Sequence, residues 1–169
     1  MSKSKCIIVL GMHRSATSLI AKGLHDAHVN MGNELLGPSS SNIEGHFEDV
    51  DFLRLNMDIL NAAGGRWDYP PPEKNIIQIG EIYSDRIKAL INEKKKNKKL
   101  WGWKDPRTTL TIRCYMPFLK EEDVIFVSCF RNPYTVATSL KKRDNMSIDK
   151  GVQLARIYNE RLLRFLNEC

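Results

Sequence analysis

The chain has no apolar run long enough for a membrane span or a secretory leader. The one that follows Lys5, Cys6 to Leu10, is five residues long. A cytoplasmic protein is therefore expected. Cysteine is scarce and scattered, with four residues at 6, 114, 129 and 169. No paired spacing suggests a disulfide framework or a zinc site, and three of the four lie in apolar segments where a reduced thiol behaves as a small hydrophobe. Scattered His13, His25, His28 and His46 do not make a ligand set, since His25 and His28 have no acidic or thiol companions at usable spacing, so no metal site is expected. Repeats and a clear linker are absent as well. The most basic stretch, Glu93 to Lys99, lacks the interleaved aromatics of a nucleic-acid surface and reads as a solvated helix end.

The composition of the 169 residues, 42% hydrophobic and 27% charged, is that of a soluble globular protein, and the length suits one domain over 1–169. The formal charge of +6 suits an anionic partner without choosing among nucleotides, sulfated or phosphorylated ligands and nucleic acid. Three short segments read as strands: Cys6–Leu10, Leu100–Lys104 and Val124–Phe130. Helical spacing is expected over Leu19–Ala27, with Leu19, Ile20, Gly23, Leu24 and Ala27 on one face. A second helix carries Val50, Leu53, Met57 and Leu60 inward, and a third spans Ile82–Lys94 with Ile82 inward. Further helices start at Thr108 or Thr109, at Asn132-Pro133, where Asn caps and Pro takes the first position, and after Ser147. Residues 29–46 and 63–80 read as irregular, the second with aromatics at a Pro-rich turn suited to an acceptor pocket. Strands alternating with helices predict an α/β domain with a central parallel sheet, three-layered α/β/α.

Ligands of open parallel sheets bind beyond the carboxyl ends of the strands. All three expected strands end in basic segments: Gly11 to Ser18, Lys104 to Arg107, and Arg131 to Pro133. The first, between a strand and a helix, has the layout of a phosphate loop, in which unpaired amides and the helix dipole favour an anion. Against G-x-x-x-x-G-K-[ST], Gly11 and Ser18 fit, but Ala16 replaces the second glycine and Thr17 the lysine. Without that lysine, and without a strand ending in a free Asp to hold magnesium, a conventional nucleotide hydrolase is disfavoured. The cation sits instead at Arg14.

In this form the loop, His13-Arg14-Ser15-Ala16-Thr17-Ser18, resembles the 5′-phosphosulfate loop of the sulfotransferases. Arg131-Asn132-Pro133 with Ser139, eight residues after the arginine, is similar to that family's 3′-phosphate motif. Lys104-Asp105-Pro106 resembles the Lys-x-Pro of glycan-type members, whose lysine stands near the transferring group. Gly45-His46-Phe47-Glu48-Asp49 looks like the stretch that supplies their glutamate base. The resemblance spans Ile7 to about Leu140. It implies a P-loop-like fold and a donor, 3′-phosphoadenosine 5′-phosphosulfate (PAPS), with 3′,5′-adenosine bisphosphate (PAP) as product and no metal. Arg14, Ser15, Ala16, Thr17, Ser18, Arg131 and Ser139 would bind that donor. Glu48, Lys104, Arg14 and His46 would carry the chemistry, with Glu48 the first choice of base and His46 or Asp49 the alternatives; Arg107 would touch donor or acceptor.

Two departures stand out. Ala16 lacks the dihedral freedom of the loop glycine, and the chain ends at Cys169, before the Gly-rich basic segment with which the family encloses the adenosine. Nucleotide binding is thus the firmer expectation and turnover the weaker one. A carbohydrate, lipid or small metabolite is the expected acceptor, and neither its identity nor an oligomeric state is written in these residues. The alternatives are a P-loop kinase with an altered loop and a non-catalytic nucleotide-binding module; a nucleic-acid-binding protein is the weakest reading.

Overall fold

Side chains along the first apolar run alternate between two packed faces: Cys6, Ile8 and Leu10 join a larger core, Ile7 and Val9 a smaller one. In the computed structural model, which describes residues 4–39 and 42–169, this run is strand β1 (Lys5–Gly11). It is the centre of a parallel sheet of order β2-β1-β3, with β2 at Leu100–Lys104 and β3 at Asp123–Cys129. Burial on both faces explains why β1 is apolar from Cys6 to Leu10. Parallel pairing on both sides places the carboxyl ends Gly11, Lys104 and Cys129 along one edge of the sheet.

Helices flank the sheet. Helix α1 (Thr17–Asp26) covers the Val9 face through Ala21, with Val29 and Met31 beside it. The other face carries α2 (Val50–Ala62), α3 (Glu73–Ile82), α4 (Ser84–Lys95), α5 (Thr108–Tyr115), α6 (Pro133–Asp144) and α7 (Ile148–Asn167). Its centre is aromatic: Phe52 stacks on Trp103 with ring centroids 4.1 Å apart, and Tyr115 tilts against both. The expected Asn132 cap forms, and Ser147 caps the last helix. Asn132 Oδ1 accepts from the amides of Tyr134 and Thr135, and Ser147 Oγ from that of Lys150. Among the described residues, no helix is long and apolar enough to cross a membrane.

Five sequence expectations are corrected. Helix α1 buries Thr17 and Ala21 and leaves Leu19 66% exposed, because its small-residue side is the one that fits closely over the sheet. Helix α2 turns Phe52, Leu55, Asn56 and Ile59 inward with Leu60, while Met57 points out. Phe52, Leu55 and Ile59 form an apolar stripe of their own on the inward face, which also buries Asn56: its Nδ2 donates to Asp105 and Thr108, and its Oδ1 accepts from Thr111 and Tyr115. The stretch 63–80 is not irregular throughout, since α3 starts after Pro72 and presses Gly80 against Cys114. Ile82, at its end, is exposed. Finally, Lys94 is not solvated but buried between Asp49 at 2.8 Å and Asp51 at 2.6 Å.

Gly102 lies opposite Ile7 in the sheet, and a Cβ there would stand 2.0 Å from the Ile7 carbonyl oxygen. Gly102→Ala is expected to cost about 3 kcal/mol or more by forcing β1 and β2 apart. Gly37→Ala, with open space around the added methyl group, should stay within about 0.5 kcal/mol. Urea unfolding of both variants measures the contrast.

Candidate functional site

The loop between β1 and α1 is held from below. Gly11 donates its amide to Thr109 Oγ1 at 2.8 Å, and the same hydroxyl donates back to the Gly11 carbonyl at 3.2 Å. At φ 148°, Gly11 has no room for a Cβ, which would meet the Cys129 carbonyl at 2.7 Å. The chain then passes through the left-handed region at Arg14 (φ 68°) and Ala16 (φ 64°). Ala16 thus occupies a conformation that glycine adopts without cost, and the strain falls where the substitution departs from the loop pattern. Ala16 is also the residue before α1, and among the described residues no side chain caps that helix. The helix start therefore offers its first amides to whatever lies in front of them.

In front lies a cavity of about 220 Å³, bounded by Arg14, Ala16, Thr17, Ser18, Asn42 and Arg131. Two segments remote in sequence meet beside it, the loop after β1 and the stretch from the end of β3 into α6. Arg14 Nε donates to Ser139 Oγ on α6 at 2.8 Å, and Arg131 Nη1, just beyond β3, donates to the Arg14 carbonyl at 2.9 Å. Ser139 accepts in this contact, so its O–H remains a donor for an anion. Burial, followed by the charges of Arg143 and Arg131, holds Arg14 below the usual arginine range. The like charges gathered here favour an anionic neighbour.

Lys104 closes the second half. At the end of β2, with 1% of its surface exposed, its ammonium donates to Ser18 Oγ at 3.1 Å, the His46 carbonyl at 3.0 Å and Glu48 Oε1 at 2.8 Å. Three acceptors satisfy its three donors. Arg107 Nη1 lies 3.5 Å from Glu48 Oε2 and 2.7 Å from Asp105 Oδ1, so two cations and two carboxylates form one buried cluster. Burial raises Asp105 above the usual carboxylate range against the pull of Arg107. Ser18 belongs to both halves, lining the anion cavity and receiving Lys104.

No protein-family model, curated protein or solved structure matches the chain.

The expected site residues therefore rest on geometry. Arg14, Ser139 and Arg131 come together, as do Ser18, Lys104 and Glu48, while Ala16 and Thr17 line the cavity; Ser15 is buried beside them. His46 reaches the site through its carbonyl, its ring nitrogen Nε2 lying 2.8 Å from Ser39 Oγ. Burial lowers its pKa below the usual imidazole range, and Lys104 adds to the effect while Glu48 opposes it. Asp49 is taken out of the chemistry: it caps α2 through the amides of Asp51 and Phe52 and pairs with Lys94. Missed in the sequence were Thr109, which latches the loop, and Asn56 with Asp105, which fix the segment leading to Arg107. A buried polar residue inside a helix gives no periodic signal. His13, read only as a loop residue, is buried against the Trp67 ring at 4.5 Å, and its Nε2 has no partner among the described residues.

Removing one member of a buried ion pair strands the other, so Lys104→Met is expected to cost about 3–5 kcal/mol. The double change Lys104→Met/Glu48→Leu should recover part of that loss in thermal unfolding. A second expectation concerns pH. Burial, then Arg107, Arg143 and Lys104, depress the His13 pKa well below its ordinary value of 6.5. Below that value the unfolded chain takes up a proton that folded His13 refuses, so stability falls as pH falls, by at most ~1.4 kcal/mol per unit from this residue. Urea titrations between pH 7 and 5 should show a shallower fall for His13→Gln.

Proposed function

We propose that this chain binds PAPS in a P-loop-like, three-layer α/β/α fold and transfers its sulfuryl group to an acceptor oxygen or nitrogen. The reading is supported above all by the convergence of Arg131 and Ser139 on Arg14. Arg131 and Ser139 lie in one motif segment and Arg14 in another, each segment resembling part of a sulfotransferase donor site, and the two segments have no local reason to meet. The loop amides, Ser15, Thr17 and Ser18 would hold the 5′-phosphosulfate end, and Arg131 and Ser139 the 3′-phosphate.

When bound, PAPS supplies a sulfuryl group whose sulfur–oxygen bond to the phosphate breaks as a new one to the acceptor forms. Negative charge then grows on the phosphate oxygen, and Arg14, Lys104 and the helix amides stabilise it. Glu48 takes the proton of the acceptor hydroxyl. Its position beside Lys104 couples that step to the cation at the donor side. Thr17 in place of the loop lysine keeps the P-loop kinase reading second.

Calorimetric titration tests the reading. PAP is expected to bind in the micromolar range, on the order of −8 kcal/mol, and more tightly than ATP with magnesium. Arg131→Ala should weaken PAP at least about tenfold, or ~1.4 kcal/mol, without changing thermal stability. Absence of PAP binding to the wild type would sink the proposal, and tighter binding of ATP with magnesium would replace it with the kinase reading.

A further inference from the structure

Lys104 has no hydrogen to spare. Its ammonium gives one to Ser18 Oγ at 3.1 Å, one to the His46 carbonyl at 3.0 Å and one to Glu48 Oε1 at 2.8 Å. Glu48 is equally committed, since its Oε2 lies 3.5 Å from Arg107 Nη1, which in turn bonds Asp105 Oδ1 at 2.7 Å. In the unliganded chain the two cations and two carboxylates of this buried set balance one another. The anion cavity in front of α1 reaches the set at Ser18, which lines the cavity and accepts from Lys104. An anion seated against Ser18 therefore stands one hydroxyl away from the ammonium. It adds negative charge to a balanced group, and a cation that is to meet it must first give up an acceptor.

We infer that the donor gates the site: on donor binding Lys104 exchanges Glu48 for the donor's 5′ end, and Glu48 is thereby released to the acceptor. The inference rests on the sulfuryl-transfer reading for the nature of the anion and for the role of Glu48. Lys104 is the member able to move, being an unbranched stem that ends in rotatable donors. The other groups around Glu48 are tied down. Arg107 is retained by Asp105, which Asn56 holds at 2.8 Å. The His46 carbonyl is fixed by the backbone, because His46 and Phe47 both donate to the Leu36 carbonyl, and the His46 ring is turned to Ser39. Of the three acceptors of Lys104, Ser18 lies on the side of the anion and His46 is held in place, so the bond to Glu48 is the one that breaks. No covalent bond changes in this step and no proton moves. An acceptor that arrives before the donor meets a carboxylate engaged by cations, whereas one that arrives after it meets a carboxylate that has lost its closest partner. The donor binds first and the acceptor second.

Two measurements with PAP on the whole chain test the exchange. In calorimetric titration, Glu48→Gln should bind PAP about fivefold more tightly than the wild type, because the carboxylate that competes for Lys104 is gone while an amide oxygen remains to bond it. Asp105→Asn removes a carboxylate of the same set that does not bond Lys104, and it should gain less. A crystal structure of the wild-type PAP complex needs no variant: Lys104 Nζ should lie within hydrogen-bond distance of the 5′-phosphate and beyond it from Glu48. Unchanged or weaker binding by folded Glu48→Gln, an equal gain in Asp105→Asn, or a Lys104–Glu48 bond intact beside bound PAP would each overturn the exchange and leave the donor reading standing. If the wild type does not bind PAP at all, the donor reading falls and the exchange falls with it.

Discussion

A single buried ammonium joins the parts of this molecule. Lys104 emerges at the carboxyl end of β2 into a place with almost no water, where its charge is tolerable only because Ser18, the His46 carbonyl and Glu48 take its three donors. Those acceptors come from α1, from the long segment after it and from the approach to α2. Satisfying one cation therefore fixes the position of three chain segments. The same requirement explains why 29–46, rich in glycine and polar residues, follows a defined course over its described part: Leu36 donates to the Glu48 carbonyl, and His46 and Phe47 donate to that of Leu36. A second lysine, Lys94, repeats the device under the start of α2 through Asp49 and Asp51.

The strain at the loop has the opposite character. Arg14 and Ala16 both sit at positive φ, which costs alanine and arginine what it would not cost glycine. The return is geometric: the turn brings the Arg14 side chain to Ser139, presents its carbonyl to Arg131, and sets the start of α1 in front of the cavity. The strain is borne because the loop is fastened at its base, where Thr109 grips both polar groups of Gly11. Rigid elements thus hold a loop whose own residues would relax elsewhere.

Much of the fold is legible in the residues themselves. The apolar runs that become β1, β2 and β3, the Asn132 cap and the span of α7 follow from local chemistry, and all were readable. Rotation of a helix about its axis was not. For α1 contact with the sheet selected the small residues, and for α2 two apolar stripes compete, of which Phe52, Leu55 and Ile59 rather than Val50, Leu53 and Met57 pack inward, beside Asn56. Helix α3 was hidden behind three prolines that mark a turn, although Pro72 followed by Glu73 is also an ordinary helix entry.

The same division holds for the site. Sequence by itself determined which residues carry unusual chemistry, because Arg14, Lys104 and Arg131 each follow an expected strand, and a parallel sheet must bring its strand ends to one edge. Only the tertiary structure decided what each of them does there: that Asp49 is a cap and a counter-ion, that Lys104 bonds Glu48, that Arg14 bridges to Ser139. Pairing of charges depends on distances of a few ångströms between residues more than fifty positions apart, as for Lys104 and Glu48. Such distances are set by how helices pack on the sheet, a property of the whole chain that no local stretch encodes.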